Sequence, residues 1–261
     1  MSTPAMALIT GASSGIGLQL AHELARQGHP LVLVSERADD LMRAAGALRE
    51  AHRVPVHAVV QDLAVPGAAD ALVARCDAEG WPVGLLVSNA GVLLAGPFVQ
   101  EAPERVARLM HLHTTAVVEL CHRFGARFAA RGGGGILTVS SISARMPFPV
   151  IALYGPSKAF LHQFTRALRH ELRPAGVRVT TVLPGATDTS LYDEHAVDRR
   201  LALRTGIMQR PHRVARIAVR AWQRDRAQVV PGALNRVIWW LLPVLPHGFV
   251  ALAYRLWRRR R

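Results

Sequence analysis

Short apolar runs alternate with stretches of helical periodicity along most of the chain, and this alternation constrains the fold more than any other feature. AMALIT (5–10) leads into GIGLQLAHELARQG (15–28), and LVLVS (31–35) leads into ADDLMRAAGALREAH (38–52). VPVHAVVQD (54–62), GLLVSNAG (84–91), GILTVSS (135–141) and VRVTTVLPG (177–185) follow, with helix-like segments between them. Runs that are apolar throughout, rather than at every second residue, suit strands buried on both faces. Their alternation with helices predicts an α/β fold with a doubly wound parallel sheet. A chain of 261 residues, 50% hydrophobic, can bury the core of one such domain. Ligands of these sheets bind at the carboxyl ends of the strands.

The formal charge is +14, and of 32 basic residues only Lys158 is a lysine. The arginines are spread through the helical segments without an aromatic-basic recognition module, so no nucleic-acid partner is expected. A bias toward arginine codons accounts for the excess, which would still attract an anionic cofactor. Cys76 and Cys121 lie far apart without metal-ligand spacing. They read as buried thiols of a reducing compartment, with no disulfide framework and no metal site. Strand-like sequence begins by residue 6 with no basic segment before it, so no signal peptide and a cytoplasmic location are expected.

Three motifs fall at the predicted strand ends. TGASSGIG (10–17) joins the first strand to the first helix, NAG (89–91) closes the fourth strand, and YGPSK (154–158) opens a helix. Glycines allow a tight turn and close approach to a pyrophosphate, whose charge then faces a helix N-terminus. The G-x-x-x-G-x-G spacing differs from the usual G-x-G-x-x-G, and taken alone it also fits an ordinary tight turn. Residues i and i+4 share a helix face, so Tyr154 and Lys158 can enter one cleft. Pro156 between them is tolerated only in a helix's first turn. A phenol ionises near pH 10, and a neighbouring cation lowers that toward the range useful for acid/base work.

In this order and separation, the motifs resemble the TGxxxGxG, NAG and YxxxK signatures of the short-chain dehydrogenase/reductase family, over about residues 6 to 232. The resemblance implies a Rossmann-type sheet and nicotinamide-dependent oxidation or reduction of an alcohol/carbonyl pair. Tyr154 would be the acid/base and Lys158 the cation that lowers its pKa. In the family this lysine also hydrogen-bonds the cofactor ribose and joins a water relay. A compact ammonium suits that double duty better than a guanidinium, which explains one amine kept in an arginine-rich chain. Ser141 would hold the substrate oxygen, with Ser140 and Ser143 close enough to compete. Cofactor contacts are implied at Gly11, Ser13, Ser14, Gly15, Ile16 and Gly17 of the turn. Others are implied at Ser35, Glu36 and Arg37, at Asp62 and Leu63 around the adenine, and at Asn89, Ala90 and Gly91. Tyr154 and Lys158 join them, with Pro184, Gly185 and Thr187 or Thr189 beside the nicotinamide.

Two positions depart from the family. His113 stands where a fourth catalytic residue, an asparagine, supports a helix kink and a relay water; it is expected to substitute actively, with His111 as competitor. At the end of the second strand, neutral Ser35 permits NADP, Glu36 would repel a 2′-phosphate, and Arg37 compensates. The balance leans slightly to NADP over NAD.

Residues 1–235 are expected to form the catalytic domain, with a substrate lid at about 186–210 that includes Tyr192. Residues 236–261 form an apolar extension ending in arginines. Its core, VIWWLLPVLPHGFVALAY (237–254), has no formal charge but is broken by Pro243, Pro246 and Gly248. Capping of the cleft or a subunit interface is the first expectation. Peripheral contact with the inner face of an anionic membrane comes second, and a membrane span last. The chain is thus read as a ketoreductase of an apolar or lipid-like carbonyl compound, and the family resemblance implies a homo-oligomer. The rival is a catalytically weak NAD(P)-binding regulatory or membrane-associated scaffold.

Overall fold

The computed structural model describes residues 4–189 and 208–244, with isolated positions at 203, 248, 250 and 255. Its strands are β1 (Met6–Thr10), β2 (Leu31–Ser35), β3 (Val56–Val60), β4 (Val83–Ser88), β5 (Gly134–Val139), β6 (Val177–Val182) and β7 (Gln228–Val229). They form one sheet in the order β3-β2-β1-β4-β5-β6-β7, every neighbouring pair parallel. This is the doubly wound sheet expected from the sequence.

The two sheet faces explain the uninterrupted apolar runs. Successive side chains of a strand point to opposite faces. Met6 and Leu8 accordingly join one core cluster, while Ala7 and Ile9 join the other. Val32 and Val34 of β2 separate from Leu31 and Leu33 in the same way. The first cluster is covered by α3 (Ala68–Ala78), α5 (Ala116–Ala130) and α6 (Tyr154–Leu172). The second is covered by α1 (Gly15–Ala25), α2 (Ala38–His52) and α7 (Pro211–Gln223). A strand with helices on both sides has no face on which a polar residue would be cheap. Cys76 and Cys121 are free and buried in the first cluster, and burial pushes their thiols up to about 11 and about 12.

Helix ends follow local chemistry. The expected first helix, 15–28, ends early at Ala25, because Gly28 turns left-handed at φ 85° and its N–H bonds the Ala25 carbonyl. A helix α4 (Pro103–Met110), begun by its proline, runs into α5 through a π turn at His111–Thr115. Such wide turns are frequent at functional sites, and this one carries His113, which is buried.

Within the expected lid, Thr187 and Gln209 pair as a parallel bridge. Asp188 N–H donates to the Gln209 carbonyl and Gln209 N–H to the Ala186 carbonyl, both at 2.9 Å. Tyr192 and most of the lid lie outside the described residues, as does most of the chain beyond Val244. No helix among the described residues is long and apolar enough to cross a membrane. The start of the C-terminal extension forms α8 (Ala233–Leu241), which buries Asn235, Trp239 and the following Leu242.

Strand β5 meets α7 at a glycine. A Cβ on Gly135 would lie 2.3 Å from Trp222 Nε1, inside the buried indole. Gly135→Ala is therefore expected to cost about 2 kcal/mol by overpacking. Gly133→Ala, with nothing within 4 Å of its Cβ, should be nearly neutral; urea unfolding of both variants checks the contrast.

Candidate active site

Strand order reverses between β1 and β4. After β1 the chain enters α1 on one face, whereas after β4 it enters α4 and α5 on the other, leaving a crevice at the carboxyl ends. Thr10 and Asn89 stitch its floor. The Thr10 hydroxyl accepts from the Asn89 and Ala90 N–H groups at 3.0 Å, and Asn89 Nδ2 donates to the Thr10 and Gly11 carbonyls at 3.0 and 3.2 Å. Gly11 takes φ 64° at the first step of the turn. A Cβ on Gly17 would sit 2.2 Å from the Gly11 carbonyl oxygen, so only glycine lets α1 approach the turn this closely.

The crevice is a cleft of about 430 Å³. Gly11, Ser13, Ser14, Gly15 and Ile16 line it from the turn, and Ser35, Glu36 and Arg37 from the end of β2. Asp62 and Leu63 contribute beyond β3, and Asn89, Ala90 and Gly91 beyond β4. Ser141, Tyr154 and Lys158 stand on another wall, with Pro184, Gly185, Thr187 and Thr189 after β6. Of the described residues singled out from sequence, Gly17, His113 and the competitors His111 and Ser143 do not line the cleft. Gly17 packs behind the turn, and His113 lies one layer beneath the Tyr154–Lys158 wall.

Tyr154 is the first residue of α6, so Pro156 falls in the first turn, where its missing N–H costs no helix bond. Lys158, one turn on, is buried and donates to the Val139 carbonyl at 3.2 Å. Its ammonium lies 5.6 Å from the centre of the Tyr154 ring. Burial pushes the Lys158 ammonium down from 10.5 to about 8. The serines divide by geometry. Ser140 donates its hydroxyl to the Lys158 carbonyl at 2.7 Å, Ser141 lines the cleft and accepts from the Ser143 N–H, and Ser143 is outside the lining.

His113 has both ring nitrogens engaged. The Val92 N–H donates to Nε2 at 3.0 Å, which places the ring proton on Nδ1. That proton is donated to Ser157 Oγ at 2.9 Å, and the Ser157 hydroxyl donates to the Tyr154 carbonyl at 2.8 Å. Burial, then the Lys158 charge, holds His113 well below its ordinary value, so it is neutral. With Nε2 accepting and Nδ1 donating, His113 joins the loop after β4 to Ser157 and, through it, to the Tyr154 backbone. Its competitor His111 lies in the same π turn but lines no part of the cleft.

At the far end, Arg37 donates to Ser13 Oγ at 3.1 Å and to Ser14 Oγ, and Ser13 and Ser35 hydroxyls lie 2.9 Å apart. Arg108, at the end of α4, pairs with Asp62 at 2.6 Å and with Glu36. Burial would raise the Asp62 carboxyl. Hydrogen bonds from Arg108 and the Ala64 N–H, with the charges of Arg108 and His111, outweigh it and hold the group low. Sequence reasoning missed Arg108, one arginine among many. It also missed Ser157, for which the i+3 spacing after Tyr154 was the available signal.

The N-terminus of α1 suits a phosphate. Ser14 makes no capping bond there and the first turn holds no acidic residue, so its amides and positive dipole end border the cleft. With the serine hydroxyls and Arg37 beyond, the donor set fits a dinucleotide.

Lys158 also carries a stability prediction. Its folded value lies below its unfolded one, so the penalty for burying the charge is full below pH about 8 and fades toward 10.5. Lys158→Met is expected to raise unfolding stability by about 2 kcal/mol at pH 7. The gain should vanish by pH about 10.5 in denaturant titrations across that range.

Comparison with known proteins agrees with this geometry. The short chain dehydrogenase family model matches residues 5–199. The "Probable oxidoreductase EphD" of Mycobacterium tuberculosis is 35% identical over 203 residues, covering 74% of this chain but 34% of the relative. The chain thus spans about a third of that relative's length. Among solved structures, a short-chain dehydrogenase from Sphingobium yanoikuyae in complex with NADPH superposes with a TM-score of 0.82 at 33% identity, covering 95% of this chain and 96% of its own. The bulky-bulky ketone specific alcohol dehydrogenase from Comamonas testosteroni gives 0.78 at 32% identity, covering 88% and 87%. The matched residues carry the glycine turn, Asn89 and the Tyr154–Lys158 pair, and the chain belongs to the short-chain dehydrogenase/reductase family.

Proposed function

We propose that the protein is an NADP-preferring ketoreductase acting on a bulky, apolar carbonyl compound. The observation that carries this reading is convergence: Ser141, Tyr154 and Lys158 share one cleft with the glycine turn and the Arg37–serine cluster. A dinucleotide held by the glycine turn and the Arg37–serine cluster would supply the hydride. Tyr154 donates its phenolic proton to the carbonyl oxygen as negative charge develops there, and Ser141 holds that oxygen with its hydroxyl. Lys158 stabilises the phenolate left behind and lowers the cost of the transfer. His113 acts by position: its bonds to Val92 and Ser157 tie the loop after β4 to the Tyr154 backbone.

The preference for NADP rests on Arg37 and the hydroxyls of Ser13, Ser14 and Ser35, which offer a cation and neutral donors where a 2′-phosphate would lie. The similarity to a bulky-bulky ketone specific alcohol dehydrogenase supports a bulky ketone as substrate. Tyr154→Phe is expected to lower kcat at least about a hundredfold while NADPH binding, followed by nicotinamide fluorescence, changes less than twofold. Loss of binding with the fold intact would contradict the assigned role, and folded wild-type protein binding neither NADPH nor NADH would end the enzyme reading.

Helix α8 supports peripheral membrane contact as a second feature of this function. Leu234, Val237, Leu241 and Val244 follow a heptad-like stripe with Trp240 beside it, all exposed, while Trp239 anchors the opposite face beneath Arg145. The sequence continues to RLWRRRR, whose charge complements anionic lipid. The full chain is expected to co-sediment with phosphatidylglycerol vesicles and not with phosphatidylcholine. Trp240→Glu should weaken binding about tenfold; an unchanged partition would remove the membrane from the reading.

A further inference from the structure

Glu36 and Arg37 are adjacent, carry opposite charges and both line the cofactor end of the cleft. The structure sorts them to opposite sides. Arg37 turns toward the glycine turn, with Ser13 and Ser14 as hydrogen-bond partners and Asp40 at 3.1 Å as an ion pair. Glu36 turns the other way, to Arg108 on α4. The same guanidinium holds Asp62 with its other nitrogen. One arginine therefore pins carboxylates from the ends of β2 and β3, using the two arms of its planar fork. Its side chain is 38% exposed and that of Glu36 48%, so the pair adds little to stability. What it changes is the charge that a ligand meets.

We propose that Arg108 is a specificity-determining residue for the cofactor: by holding and neutralising Glu36, it makes the end of β2 accept a 2′-phosphate. This rests on the nicotinamide-dependent reading above and deepens it. A carboxylate at this strand end is suited to accept hydrogen bonds from ribose hydroxyls and to repel a phosphate. Glu36 can do neither freely while Arg108 occupies it. Arg37 and the serine hydroxyls are then left as the groups that a phosphate dianion meets. If Arg108 is lost, Glu36 becomes available to the ribose, and the preference moves toward the cofactor without the extra phosphate. Asp62 also loses its cation, which adds negative charge to the same end of the cleft.

The test is the ratio of NADPH to NADH dissociation constants, followed by nicotinamide fluorescence at one fixed salt concentration. Wild-type protein should favour NADPH. Arg108→Leu should move the ratio toward NADH by about tenfold or more, and adding Glu36→Gln to Arg108→Leu should restore most of it. Glu36→Gln alone should move the ratio less than about threefold, because the charge it removes is already countered. An Arg108→Leu protein that weakens both cofactors equally, or changes neither, overturns the proposal. So does a double variant that keeps the altered ratio, or a large gain in NADPH affinity from Glu36→Gln alone, which needs no Arg108 substitution to fold. Wild-type protein that binds NADH more tightly would instead refute the NADP assignment, and wild-type protein that binds neither would refute the parent reading.

Discussion

The hydrogen bonds between Thr10 and the Asn89–Ala90 backbone hold β1 and β4 together at the point where their connections leave for opposite faces of the sheet. Two adjacent parallel strands whose continuations diverge must leave a gap above their ends. Here Asn89 closes the floor of that gap by bonding the backbone of the glycine turn. Gly17 then lets α1 settle against the same turn. The cleft's other walls are hung from this junction, and loosening it would separate the turn from the Tyr154–Lys158 wall without touching either.

The cleft spans two electrostatic regimes. Around Lys158 charge is scarce: the ammonium is buried, His113 is neutral, and the hydrogen bonds run through carbonyls and hydroxyls. A low-dielectric surrounding of this kind strengthens the influence of one cation on a nearby phenol. At the β2 end, by contrast, Glu36, Arg37, Asp40, Asp62 and Arg108 are partly exposed and paired with one another. Solvent weakens each contact there, and selectivity comes from which partner each charge is given.

What could be read in advance followed from how local each feature is. Strands buried on both faces appear as uninterrupted apolar runs, as in β1, β2 and β4, and β3 and β6 were legible by their β-branched residues, whereas β7 is a two-residue edge strand held by β6 backbone and has no such run. The Tyr154–Lys158 pair is a helical spacing and the glycine turn a contiguous string, so both were legible too. Arg108 meets Asp62 and Glu36 across 46 and 72 residues, a separation that periodicity cannot register. The engagement of both His113 nitrogens depends on the π turn and on a loop N–H, neither of which has a composition. In the family's terms the position was recognisable; its hydrogen bonds were not.

The bridge between Thr187 and Gln209 has a consequence for how such a protein can diversify. With both stems fastened to each other beside the cleft, the intervening chain is a closed loop whatever its conformation. The entropy of closing a loop grows only with the logarithm of its length, about 0.6 kcal/mol per doubling. Insertions and replacements between the stems therefore place little load on the sheet, so the sequence between them is among the thermodynamically least constrained of the chain.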